Sequence, residues 1–186
     1  MFNRILKKII SNKILYIYRS YRAFIYGEKE LRVLKRLIDP KKDAIDVGAN
    51  LGEYTYWMSK YANHVHVFEP HPECINFLET VKASNSTLYA FGVSSKKSKQ
   101  KLLVPEDESL QDVTCRASIS ELSVRDFDKL NGISINTVSL DEIDLKNIGF
   151  IKIDIEGHEF EALKGMENLI NSCNPVMQIE IEQRHH

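Results

Sequence analysis

The chain has few cysteines, and none of them pair up in sequence. Cys74, Cys115 and Cys173 are widely spaced, and no Cys-x-x-Cys occurs. Such a set does not build a disulfide framework or a four-thiolate zinc site. The thiols are expected to be reduced, partly buried small hydrophobes in a cytoplasmic protein. Long apolar runs are missing too: nowhere do roughly eighteen apolar residues follow one another, so no membrane-spanning helix is expected. The apolar stretch near residues 9–18 is interrupted by Lys13 and lacks a small-residue cleavage site, so no signal peptide is expected either. Acidic residues are absent from positions 1–26. The Gly-x-Gly-x-x-Gly turn that admits a dinucleotide pyrophosphate is absent where a nucleotide turn would stand.

What is present is the composition of an ordinary globular protein, 43% apolar and 27% charged. The length suits one domain with a sizeable core plus an appendage. Charge is unevenly placed. Residues 1–42 hold twelve Lys/Arg against three Asp/Glu, a net +9, and the remainder holds thirteen against twenty-three, a net −10. The acidic body, and a basic stretch interleaved with aliphatic rather than stacking side chains, argue against nucleic-acid binding.

In residues 1–26, Phe2, Ile5, Leu6, Ile9 and Ile10 follow helical spacing, and Ile14, Ile17, Tyr21, Phe24 and Ile25 extend the stripe. This predicts a basic amphipathic helical extension. One reading places it on an anionic membrane surface, at the inner face of the cell membrane. The other docks it on the body or on a partner subunit.

Further along, helices are predicted over 28–38, stopped by Asp39-Pro40, over 51–62, after Pro70-His71-Pro72, and over 158–170. In the last of these, Phe160, Leu163, Met166 and Ile170 are expected to face inward. Strands are predicted at 43–47, 65–69, 87–91, 150–155 and 176–181. Alternation of strand and helix predicts an α/β fold with a doubly wound, mostly parallel sheet. Residues 94–134 are less regular: Leu102-Leu103-Val104 has strand character, and Glu106-Asp107-Glu108 through Arg125 reads as an exposed insertion, either covering a substrate or a plain surface excursion. Ser139-Leu140-Asp141-Glu142 has capping-box spacing and is expected to start a short helix.

Ligands bind a parallel sheet beyond the carboxyl ends of its strands, where strand order reverses. Asp46-Val47-Gly48, Glu69 and Asp154-Ile155-Glu156 all fall at that rim, and in the order 3-2-1-4-5 they converge on one crevice. The glycine turn reads Asp-x-Gly-x-x-x-Gly, with Ala49 and Asn50 filling the place a pyrophosphate would need. A carboxylate there disfavours phosphate and favours an ammonium group. S-adenosylmethionine carries an ammonium and a sulfonium centre and no phosphate, and Glu69 suits its ribose hydroxyls. On the competing structural reading, Asp46 caps the turn and Glu69 is a solvated strand end.

At these positions the chain resembles the FkbM family of S-adenosylmethionine-dependent methyltransferases. Asp46-Val47-Gly48-Ala49-Asn50-Leu51-Gly52-Glu53-Tyr54-Thr55 matches the family's first motif and Val67-Phe68-Glu69-Pro70-His71-Pro72 its second. Residues 137–142 and Ile151-Lys152-Ile153-Asp154-Ile155-Glu156-Gly157-His158-Glu159 match its later signature. Gly27-Glu28-Lys29-Glu30-Leu31 is similar to the lead-in of members from sugar and polysaccharide clusters. The resemblance covers roughly 27–183. It implies a class I, Rossmann-like methyltransferase domain over 27–186 and methyl transfer to a hydroxyl of a sugar, polysaccharide, glycolipid or natural product. It also implies that Asp46, Gly48, Asn50 and Gly52 surround the methionine part of the cofactor, with Tyr54 and Thr55 near its carboxylate end. Glu69 would hold the ribose, and Asp154, Glu156, His158 and Glu159 would face the methyl group and the acceptor. Ser94-Ser95 stands where the family often has Ser-Asp. The chain ends soon after the fifth predicted strand, so two C-terminal strands of the class are expected to be missing, leaving an apolar edge that invites dimerisation.

Of the candidate bases, Asp154 is favoured, followed by Glu156 and His158. The carboxylates of Asp154 and Glu156 suit magnesium, but two acids alone are weak evidence for a site, and His64, His66, His71, His185 and His186 show no ligand spacing joined to them, so no required metal is expected. Two rivals stand beside the methyltransferase reading: a non-catalytic or truncated cofactor-binding domain, and an NAD-dependent oxidoreductase.

Overall fold

The computed structural model describes residues 11–105 and 130–181. The front of the predicted amphipathic helix, the run 106–125, Cys115 and His185-His186 lie outside the described residues. In chain order the elements are α1 (Asn12–Tyr26), α2 (Leu34–Leu37), β1 (Asp43–Val47), α3 (Glu53–Tyr61), β2 (Val65–Phe68), α4 (Pro72–Val81), β3 (Ser86–Tyr89), β4 (Gly92–Val93), β5 (Ser98–Pro105), β6 (Leu130–Val138), β7 (Ile148–Ile153), α5 (Glu159–Lys164), α6 (Glu167–Cys173) and β8 (Val176–Ile179).

The main sheet is wholly parallel, in the order β3-β2-β1-β7-β8. With β7 and β8 as the fourth and fifth predicted strands, this is the expected 3-2-1-4-5 order. The central strands carry near-continuous apolar runs because both faces are covered. On one face Ala44, Val65, Val67 and Phe150 pack against Leu31, Leu34, Trp57, Met58 and Leu78. On the other, Ile45, Val47, Ile151 and Ile153 pack against Leu140, Ala162, Met166 and Leu169. A second sheet, β4-β6-β5, pairs β5 and β6 antiparallel from Ser98↔Thr137 to Pro105↔Leu130.

The helix expected over 28–38 is instead a 3-10 turn, Lys29–Arg32, followed by the single turn α2. Leu31 and Leu34, three residues apart, are both fully buried, and a 3-10 turn aligns side chains at that spacing. The helix expected over 158–170 is likewise two helices, broken at Gly165. A Cβ there would stand 2.0 Å from the Ser94 carbonyl oxygen. The Gly165 carbonyl accepts from the Ser139 hydroxyl and the Asp141 amide. Gly165 is thus held by the strand side of the molecule, and the helix axis changes there. Phe160, expected inside, is 68% exposed. Ser139 precedes a 3-10 turn, Leu140–Glu142, but spends its hydroxyl on Gly165 rather than on a capping box. The two-residue strand β4, just before the irregular 94–134 stretch, and β6, which starts at its end, were not legible, because β6 finds its partner β5 far upstream.

α1 docks across α3 and α4. The Tyr16 hydroxyl donates to the Gly52 carbonyl at 2.9 Å, the Trp57 indole N–H donates to the Ser20 carbonyl at 3.0 Å, and Arg19 pairs with Glu53 at 2.7 Å. Among the described residues no helix is long and apolar enough to cross a membrane.

Candidate active site

The predicted rim residues lie at the carboxyl ends of three adjacent strands. Asp46 is the fourth residue of β1, Glu69 follows β2, and Asp154 follows β7. Gly48 ends β1 with a φ of +79°, and a Cβ there would meet the Asp154 carbonyl oxygen at 1.9 Å. Only a residue without a side chain lets the two strand ends touch in this way. The contact is reinforced by the Asp154 amide donating to the Val47 carbonyl. Asn50 (φ +53°) and Gly52 (φ +83°) complete the turn in left-handed conformations, and Gly52 caps α3.

Glu69 is buried and fixed by two backbone donors. The Asn50 amide gives a 2.7 Å bond to Oε2, and the His71 amide a 2.8 Å bond to Oε1. The glycine turn is therefore latched to the end of β2 through this carboxylate. Burial pushes its pKa up to about 7; the two amide donors and Lys152 pull down, and Asp46 adds to the rise. His71, which caps α4 through its ring, is a positioning residue that the sequence motif contained without revealing its role.

Asp46 is wholly buried. Its Oδ2 accepts the Thr55 hydroxyl at 2.5 Å, and among the described residues its Oδ1 has no hydrogen-bond partner. Burial raises its pKa, with the Lys152 ammonium and the Thr55 hydroxyl opposing. Directly across the ladder, in register, stands Lys152, and beyond it Gln178 on β8. Lys152 is 4% exposed; its ammonium lies 2.9 Å from Asp154 Oδ2 and 4.2 Å from the centre of the Tyr54 ring. Burial by itself would depress this lysine, but Asp154 and Asp46 more than offset it and its pKa is raised. The Gln178 amide donates to the Tyr54 hydroxyl at 2.8 Å. The first turn of α3 is thus stitched across β1, β7 and β8. Tyr54 and Thr55 sit behind Asp46 and Lys152, inside this network. A lysine inside the apolar run Phe150-Ile151-Lys152-Ile153 was the sequence signal for it, because a buried cation needs a buried partner.

The β7–α5 turn holds the remaining residues. Glu156 (φ +54°) and Gly157 (φ +95°) turn the chain, and the Gly157 amide donates to Glu159 Oε1 at 2.9 Å. Glu159 therefore braces the turn. The His158 ring nitrogen lies 3.0 Å from the hydroxyl of buried Ser94. Burial lowers the His158 pKa, with Glu161 and Glu159 opposing, so the imidazole is neutral near pH 7. Ser95, beside it, donates to Glu161 at 2.6 Å. The structure thus joins Asp46, Thr55, Tyr54, Lys152 and Asp154 in one connected group. Glu69 and Asn50 form a second group beside it. His158 hangs from the same turn as Asp154 but faces Ser94. Among the described residues no group of three His, Cys, Asp or Glu is placed to hold a metal.

The donor set fits S-adenosylmethionine. A buried carboxylate oxygen without a partner suits an ammonium group, and a carboxylate held rigid by backbone amides suits a pair of ribose hydroxyls. Residues 46–186 match the family model described as the methyltransferase FkbM domain. The hexuronic acid methyltransferase AglP of Haloferax volcanii is 30% identical over 160 residues, which cover 81% of this chain and 61% of AglP. The chain therefore spans less than two thirds of that relative. The crystal structure of methyltransferase FkbM from Methylobacillus flagellatus KT superposes with a TM-score of 0.55 at 22% identity, over 89% of this chain and 38% of that one, a likeness in fold.

Proposed function

The chain belongs to the FkbM methyltransferase family, and from that premise we propose that it transfers a methyl group from S-adenosylmethionine to a hydroxyl of a sugar or glycan acceptor. The observation that carries this reading is the pair of buried carboxylates at the ends of β1 and β2: Asp46 with an unpartnered oxygen, and Glu69 clamped by the turn. The sugar class is supported by the similarity to a protein named as a hexuronic acid methyltransferase.

In this reading Asp46 receives the cofactor's ammonium, and Gly48, Asn50 and Gly52 keep the turn low enough for close approach. Glu69 accepts the ribose hydroxyls. When bound, S-adenosylmethionine supplies an electrophilic methyl group on a sulfonium centre. Asp154 takes the proton of the acceptor hydroxyl. Lys152 grips Asp154 Oδ2, fixing the carboxylate and leaving its other oxygen to face the acceptor. Positioning and proton removal are the two services such a displacement needs. Glu156 and His158 flank the acceptor side of the same turn.

Thermal-shift measurements test the cofactor. S-adenosylhomocysteine is expected to raise Tm and NAD to leave it unchanged; stabilisation by NAD alone would favour an oxidoreductase. Tritiated methyl transfer onto uronic-acid glycans and neutral glycans then tests the reaction. Cofactor binding without transfer to any glycan would reduce the chain to a cofactor-binding domain.

A further inference from the structure

α1 is apolar on two faces, and among the described residues only one of them is covered. Tyr16, Ser20, Ala23 and Phe24 turn toward the body. At about 100° per residue, the opposite side carries Ile17, Ile14, Ile25 and Tyr18 as one stripe, while Tyr21 leans back onto Tyr56 and Trp57. The stripe's side chains stay open to solvent although they are large: Ile14 is 59% exposed, Tyr18 63% and Ile25 50%. Lys13 borders the stripe on one side and Arg22 on the other, both exposed. Scattered exposed hydrophobics need no explanation, but a contiguous stripe framed by cations does.

We propose that this outer face of α1 docks on a membrane surface containing anionic lipid. Three observations choose that occupant over a second copy of the chain. The stripe mixes isoleucine with tyrosine, whose ring and hydroxyl suit the boundary between acyl chains and headgroups. Cations flank it where an in-plane helix would meet headgroups. Residues 1–26 hold six Lys/Arg and no Asp or Glu, so two copies of α1 meeting face to face would repel rather than complement each other. The helix lies in the interface and does not cross it, in keeping with its length of 15 residues. Tyr16 ties the opposite face of α1 to the Gly52 carbonyl, so docking would set the glycine turn about one helix diameter, roughly 10 Å, behind the lipid surface. The proposal stands independently of the methyl-transfer reading.

The full chain is tested by co-sedimentation with vesicles of phosphatidylcholine alone and of phosphatidylcholine mixed with phosphatidylglycerol. Binding is expected to the mixed vesicles only, and to weaken in high salt. I14E and Y18E, both at exposed positions, are expected to abolish it while leaving the circular dichroism spectrum unchanged. K13Q with R22Q keeps the apolar stripe intact and is expected to weaken binding at least about tenfold, since each basic side chain near an anionic surface contributes roughly fivefold. Binding to neither vesicle, or equally to both, overturns the proposal. So does a dimer in analytical ultracentrifugation that I14E dissolves, which would assign the face to a second copy.

Discussion

Lys152 Nζ lies 2.9 Å from Asp154 Oδ2, so a cation buried beneath the sheet's rim holds the carboxylate proposed above as the base. The two residues are two apart on one strand line and share a face, and Asp46 stands in register with the lysine across the ladder. The proposed base and a buried charge balance therefore share one point.

K152M should be costly. Removing one partner of a buried pair leaves Asp46 and Asp154 without their common counter-charge, and such losses run to about 3 kcal/mol. Urea unfolding would measure it. Combined with D154N, the double variant should be more stable than the sum of the single losses by about 1 kcal/mol. Strict additivity would mean that the pair is not coupled.

D154N should separate binding from turnover. A positioned base contributes about 10²- to 10⁴-fold, so kcat should fall by that order while the Kd for S-adenosylhomocysteine stays nearly constant. H158N should retain most turnover. If kcat collapses in H158N and survives in D154N, the base is the histidine.

Cofactor affinity should depend on pH through Glu69, whose carboxyl is raised to about 7 by burial. Its ionised form is the better acceptor for ribose hydroxyls, so affinity should rise as pH climbs through about 7. Well below that point it should fall about tenfold per pH unit. The stability effect has the opposite sign. A carboxyl raised above its unfolded value stabilises the fold fully below the unfolded pKa, and that contribution is lost as pH rises through about 7. Calorimetric titration and thermal melts across pH 5–8 follow both effects, and E69Q should flatten both profiles.

G48A should disturb both strand ends. The φ of +79° strains any side chain, and the Cβ would collide with the Asp154 carbonyl. A loss of about 2–3 kcal/mol in unfolding free energy is expected, read by chemical denaturation. Cofactor affinity should fall as well, because the turn and Asp154 must part.

Much of the site was legible one residue at a time. Gly48 and Gly52 announced a tight turn, and Asp46, Glu69 and Asp154 sat at the ends of recognisable strands. The order of the strands followed from alternating β and α units. Local signals failed where a partner distant in sequence decides the local form. The break at Gly165 depends on the Ser94 and Ser139 segments, and β6 depends on β5. Phe160 obeys helical spacing yet points to solvent, because the helix it was counted in ends at Gly165.

The sequence alone determined the parallel α/β order, the glycine turn, the acids at the strand ends and the family, because each is written in contiguous residues with a fixed period or spacing. Only the tertiary structure decided which groups those acids answer to. It set Lys152 between Asp46 and Asp154, gave both Glu69 oxygens to backbone amides, placed Thr55 and Tyr54 behind the turn, and left an apolar stripe of α1 without cover among the described residues. These pairings join residues far apart in the chain, and burial fixes their energies: a charge or hydroxyl taken out of water must find its partner wherever the fold brings one.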